Sequence, residues 1–213
     1  MRRSLPSLVL ALSVSACSRQ LAIAAVAAPP RAEVSPRVEL QPAALGRSSV
    51  SATETVNDLV ARGMAIPVAG RTLAQLEDTF DEGRSSGRVH RALDILAPRG
   101  TPVLAADSGR VLRMSVNALG GNTIYATDPR GRVVYYYAHL DSYQTGLAAG
   151  AMVARGDTLG FVGTTGNAPK DTPHLHFQVM RMPADGRYWD GEAINPYPLF
   201  LLAGSGGAMV GSR

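Results

Sequence analysis

Three hydrophobic patterns follow one another along the chain. Residues 5–14 form an apolar run of about ten residues, too short to span a bilayer as a mature helix. Residues 18–50 are rich in Ala, Pro, Ser and Arg and show no sustained apolar period, as expected of a tether. In residues 51–62 a polar start leads to Val56, Leu59 and Val60, spaced i, i+3, i+4, which predicts a short helix. From Met64 onward the blocks shorten. Residues 103–106, 109–114, 122–126, 132–138, 158–163 and 174–179 are β-branched or aromatic. Turn residues such as Pro98-Arg99-Gly100, Gly120-Gly121 and Asp128-Pro129-Arg130-Gly131 separate them. The prediction is an all-β fold: a compact antiparallel β-sheet or sandwich core with a short N-terminal helical segment. The boundaries expected are a signal segment at 1–16, a tether at 17–50, a helical lead-in at 51–63, the β domain at 64–203 and a flexible tail at 204–213.

Composition agrees with short strands and turns. Charged residues are 18% of the 213, while Gly and Pro number 22 and 14. The formal charge of +4 comes from scattered Arg, with Lys170 the only lysine, so no basic block of the nucleic-acid-binding kind is present. A nucleic-acid partner is therefore not expected. Cys17 is the only cysteine, which excludes a disulfide within the chain and a cysteine-rich zinc site. Met1-Arg2-Arg3 ahead of the apolar run, and Val14-Ser15-Ala16-Cys17 at its end, resemble the lipobox of bacterial lipoproteins. That resemblance implies cleavage before Cys17 and lipidation of its sulfur, with a membrane anchor at the N-terminus. The competing reading is a plain secretory signal cut near Ala25 to Ala28.

The four histidines are His90, His139, His174 and His176. On a strand, His174 and His176 share a face while Leu175 and Phe177 turn to the core. Two neighbouring neutral imidazoles suit a zinc site, as two ligands or as one ligand and one catalytic group. His90 and Asp94, at i and i+4, share a side of either a helix or a strand and could share one metal. His139 follows the apolar Tyr135-Tyr136-Tyr137-Ala138 run, at an expected strand end. Each pattern alone is weak, but all four histidines fall on them within one short β domain. Among the tyrosines at 135–137 core packing is expected for at least one, while Arg84 and Asn117 could touch substrate or be plain surface. Asp107 and Asp157 sit in turn contexts and read as structural. The glycines at 160, 163 and 166 read as tight turns, since no GxxxxGK[ST] motif is present.

With these residues in view, the stretch from about Pro67 to Pro196 resembles the lysostaphin/LytM-type zinc endopeptidases. The matching pieces run in the family's order over residues 66–70, 88–103, 105–111, 120–122, 137–140, 153–160, 163–167 and 173–177. The resemblance implies that His90, Asp94 and His176 hold Zn²⁺, and that His139 and His174 flank the activated water. Which of the two takes the proton, steadies the oxyanion or protonates the leaving amine stays open. One departure stands out: the family pattern H-x-G-x-D has Ala92 at the Gly place. If the Gly served a positive φ, Ala would strain the loop by roughly 1 kcal/mol.

The function the resemblance implies is zinc-dependent hydrolysis of peptide bonds in peptidoglycan, with stem-peptide cross-links the expected target. The location expected is the cell envelope, lipid-anchored and facing the periplasm, and Ser18 after Cys17 leans toward the outer membrane. A second reading is a non-catalytic LytM-like regulator that activates wall amidases by binding them. A third is a zinc hydrolase acting on another substrate, such as a secreted protein. Residues 51–89 could pack beside the site or plug it.

Overall fold

The computed structural model describes residues 51–84 and 87–205. The signal segment, the tether with Cys17 and the end of the tail lie outside the described residues. Helix α1 (Ala52–Arg62) opens the described region. Ser51 caps it, its hydroxyl accepting the Glu54 N–H at 3.1 Å, and Gly63 closes it in a left-handed conformation.

Among the described residues nine strands follow: β1 (Leu93–Leu96), β2 (Pro102–Leu104), β3 (Gly109–Asn117), β4 (Gly121–Thr127), β5 (Val133–Tyr143), β6 (Met152–Val153), β7 (Thr158–Val162), β8 (His174–Arg181) and β9 (Glu192–Ile194). Helix α2 (Pro196–Ser205) ends the described chain. Every strand pairing is antiparallel, in the order β1-β8-β5-β4-β3-β6, with β7 joining β5 to β2 and β9 on β8. The fold is therefore the expected all-β core with a short N-terminal helix.

Alternation along the strands sets the two faces of the sheet. Leu175, Phe177 and Val179 of β8, with Tyr135 and Tyr137 of β5, are buried on one face. Phe177 lies at the centre of that face, 5.3 Å from the Tyr137 ring, 6.4 Å from Tyr135 and 6.3 Å from Phe200 of α2. Leu59 of α1 and Leu199 of α2 complete the layer. The even residues of β8, including both histidines, are left for the opposite face.

The strand reading missed β1, β6 and β9, which have only two to four residues each. It also missed α2, because Pro196-Tyr197-Pro198 reads as a breaker. Proline is tolerated in the first turn of a helix, where its absent N–H is not needed, and Phe200 on that helix has a core to enter.

Polar contacts lock α1 to the sheet. Asp58 accepts from Arg62 Nε at 3.2 Å, Arg130 Nη1 at 2.5 Å and Arg132 Nη2 at 2.7 Å. Arg62 also pairs with Asp107, whose carboxylate accepts the Tyr135 hydroxyl at 2.9 Å. Burial alone would raise the Asp58 carboxyl, but the three arginines outweigh it and hold it below its ordinary value. A lowered folded pKa means that this stabilisation is complete above the ordinary carboxylate range and is lost as pH falls through the folded value. Asp58→Asn is thus expected to cost about 1–2 kcal/mol at neutral pH and to flatten the acid limb of the stability profile. Urea unfolding of both proteins at several pH values checks this, and equal stability would remove Asp58 as the anchor of α1.

Candidate metal centre

The pairing of β1 with β8 places Asp94 opposite His176. Next to it, β5 pairs with β8 so that Ala138 lies opposite His176. Asp94, His174 and His176 therefore share the open face of the sheet.

His90 arrives by a different route. It precedes β1 at the foot of a narrow turn in which Gly83 bridges Val89. Its N–H donates to the Glu82 carbonyl at 2.9 Å, and that of Arg91 donates to Phe80 at 2.8 Å. Arg91 takes a φ of +57°, turning the chain so that His90 and Asp94 converge. The left-handed non-glycine residue in this loop is Arg91. Ala92 is not among the left-handed residues and is fully buried, so the strain expected from an Ala at that place does not arise.

His139 depends on an irregularity. Odd residues of β5 up to Tyr137 face the core, and strict alternation would send His139 there too. Instead His139 has a φ of +61°, and the β5 register shifts against both β4 and β7. The bulge turns His139 to the open face and puts the next residue, Leu140, into the core. His139 thus lies within a strand, not at the expected strand end. Its N–H donates to Gly120 at 2.7 Å. The β3–β4 turn there fits against the β7–β8 loop so closely that a Cβ on Gly121 would lie 2.2 Å from Thr165 Oγ1.

Three ligand-type atoms meet at one point. His90 Nε2, Asp94 Oδ1 and His176 Nδ1 lie 3.0 Å from one another along each side of a triangle. The hydrogen-bond pattern assigns the tautomers. His90 Nδ1–H donates to the Thr79 carbonyl at 2.9 Å, leaving Nε2 a lone pair. With both rings neutral, at most one hydrogen is available to the three atoms, and at least one close contact between lone pairs remains. Charging both rings instead would oppose the burial that lowers the His176 pKa. Burial would raise the Asp94 carboxyl, but it is held far below the carboxylate range, the hydrogen bond from His176 pulling it down most. A cation at the centre satisfies all three atoms at once, and two imidazole nitrogens with one carboxylate oxygen are a donor set suited to zinc.

The other two histidines flank this triangle. His139 Nδ1–H donates to the Thr165 carbonyl at 2.9 Å, and His174 Nδ1–H to that of Thr172 at 2.8 Å. Neither Nε2 is used in these bonds, and that of His174 lies 3.8 Å from Asp94 Oδ1. The two rings are 4.9 Å apart, and His139 is 5.7 Å from His176. Burial pushes His139 down to about 4, so it is neutral at pH 7. A groove of about 580 Å³ runs over all five residues, walled by Arg84, Arg88 and Val89 on one side and by Asn167, Ala168 and Pro169 on another. The segment ahead of the first ligand therefore borders the site. Asn117 is drawn into the β3–β4 turn instead, accepting the Gly120 N–H at 2.7 Å.

Sequence reasoning missed Thr79. Its carbonyl fixes His90, while its buried hydroxyl accepts the Asp94 N–H at 3.0 Å and donates to the Ala92 carbonyl at 3.3 Å. One residue thereby orients two members of the triangle. No sequence signal marks it, because a single Thr in an irregular segment has no distinguishing spacing. Thr79→Val keeps the carbonyl and removes the hydroxyl. It is expected to weaken zinc binding by about 10–100-fold, measured by competition with a chelating dye; unchanged affinity would reduce Thr79 to packing.

The chain matches Peptidase family M23 over residues 88–196. It is 32% identical over 142 residues to an L-Ala–D-Glu endopeptidase of Bacillus subtilis, covering 63% of this chain and 42% of that one. It is 33% identical over 124 residues to lysostaphin of Staphylococcus staphylolyticus, covering 58% and 24%. The chain thus spans less than half the length of these curated relatives. Among solved structures, a lytM protein from Ruminococcus gnavus superposes with a TM-score of 0.56 at 28% identity, covering 69% of this chain and 62% of that one.

Proposed function

The chain belongs to peptidase family M23, and from that premise we propose that it is a zinc-dependent endopeptidase that hydrolyses peptide bonds in bacterial peptidoglycan. The observation that carries this reading is the triangle of His90, Asp94 and His176 with His139 and His174 beside it in one groove. The names of its relatives, which include a peptidoglycan DD-endopeptidase of Vibrio cholerae, support the substrate class.

In this reading His90 Nε2, Asp94 Oδ1 and His176 Nδ1 hold the metal. Zinc so held would supply a water of pKa about 7 and a Lewis acid for the scissile carbonyl. His139 and His174 do the proton work. Each has its Nδ1–H committed to a main-chain carbonyl, so each can accept a proton only at Nε2, on the groove side. The imidazolium formed by taking a proton there would face the developing oxyanion, and its proton can then be passed to the leaving amine, which returns the ring to neutral. The fixed carbonyls hold both rings in place through the cycle.

The regulator reading drew on Ala92, and the left-handed turn at Arg91 removes that argument. The complete set of five residues supports catalysis. We expect purified chain to bind one equivalent of zinc and to release soluble peptides from purified peptidoglycan. His176→Ala should lose both properties. His139→Ala and His174→Ala should keep the metal and lose turnover by about 10²–10⁴-fold. Bound zinc with no released peptides would sink the catalytic reading.

For location, we propose that lipidated Cys17 anchors the domain to the envelope, facing the periplasm, through residues 17–50. Metabolic labelling with a radioactive fatty acid should mark the wild type and not Cys17→Ser. Equal labelling of both would leave the plain secretory signal.

A further inference from the structure

Two cationic side chains share the groove with the metal triangle. Arg84 and Arg88 line it, and among the described residues Asp94 is the only acidic side chain that does so. The arginines stand opposite each other across the turn that leads to His90. The Arg84 N–H donates to the Arg88 carbonyl at 2.8 Å, one step in from the Gly83–Val89 bridge. Residues placed opposite in this way project to the same face, where like charges repel. Asp94 compensates only Arg84: its Oδ2 accepts from Arg84 Nη2 at 2.5 Å, while Glu82 stands 3.8 Å away. The Arg88 side chain is exposed and has no ion-pair partner among the described residues.

A metal on the triangle would add two further positive charges beside this pair. The same groove presents Val89, Leu96 and Leu119, which are 41%, 54% and 58% exposed. A peptide lying on those side chains would displace water from around the guanidinium groups and strengthen their hold on an anion. Arg84 retains further N–H donors beyond the one given to Asp94, and the Arg88 fork, unpaired among the described residues, suits a planar, bidentate acceptor.

We propose that Arg84 and Arg88 form a carboxylate subsite, which binds a free carboxylate carried by the substrate beside the scissile bond. The inference rests on the peptidase reading of the same groove and narrows its substrate. It selects peptides with acidic groups next to the bond cut, such as the carboxylate-bearing stems of peptidoglycan, over neutral glycine bridges. Arg84 has a second task in orienting Asp94, so Arg88 is the residue that isolates the subsite.

The test uses the full chain loaded with zinc and two forms of purified peptidoglycan: native, and with its carboxylates amidated by carbodiimide and ammonia. Release of soluble peptides and cosedimentation with the walls are measured side by side. Wild type should cut and sediment with native walls about tenfold better than with amidated ones. Arg88→Ala should lose that preference by falling on native walls alone, and Arg88→Lys should recover part of it. Arg110→Ala, an exposed arginine on a separate cleft, should keep the full preference. Equal behaviour of wild type on both walls, or an Arg110→Ala loss as large as that of Arg88→Ala, overturns the subsite. If wild type cuts neither wall but still sediments through the carboxylates and Arg88, the subsite stands and the peptidase reading falls. No cutting together with sedimentation indifferent to carboxylates overturns both.

Discussion

Three electron-rich atoms held 3.0 Å apart are the constraint around which this domain is arranged. Left to themselves they would separate, because a single shared hydrogen cannot bridge all three. What keeps them together is the scaffold. Asp94 and His176 are fixed by opposite positions in the β1–β8 ladder, and His90 by the bond from its ring to Thr79. The ladder in turn rests on Leu175 and Phe177, which are fully buried on the other face. Core packing thus supplies the rigidity that a preformed metal site needs, and an ion at its centre would return part of that free energy to the fold.

The flanking histidines show a second use of the same scaffold, this time at a conformational cost. A non-glycine residue at a φ of +61° inside a strand is disfavoured by roughly 1–3 kcal/mol. At His139 the surroundings hold it there: the Gly120 carbonyl takes its N–H, the Thr165 carbonyl takes its ring, and Leu140 gains a core position. The bulge changes the phase of β5 at a single point. Upstream the strand serves the core with Tyr135 and Tyr137, and at His139 it serves the groove. His174 needs no such device, since the parity of β8 already faces it to the open side.

This difference marks what could be read in the sequence. The His174-Leu175-His176 triplet declares its face by period two alone, and its buried neighbours Leu175 and Phe177 agree with that reading. The partnership of His90 with Asp94 was legible as a spacing but not as a geometry. A left-handed Arg91 and the distant Thr79 make it converge, and neither has a sequence signature. His139 was legible only as a histidine after an apolar run, because a bulge inverts the very alternation from which orientation is inferred. Strands β1, β6 and β9 escaped for a related reason: with so few residues, pairing partners far along the chain determine them more than their own pattern does.

The carboxylate of Asp94 ties these elements to the chemistry. Its Oδ2 is engaged by Arg84 at 2.5 Å, so Oδ1 is the oxygen turned to the triangle. Asp94 would therefore present one donor atom to an ion, and one nitrogen from each of His90 and His176 would bring the protein donors to three. A tetrahedral ion with three protein donors keeps one position for water or substrate, as catalytic zinc sites do and four-ligand structural sites do not. His139 and His174 stand beside the triangle in the groove. Arg84 thus does more than neutralise charge. By occupying the outer oxygen it favours single-atom ligation by Asp94, and it brings a cation to the groove where an acidic peptide would lie.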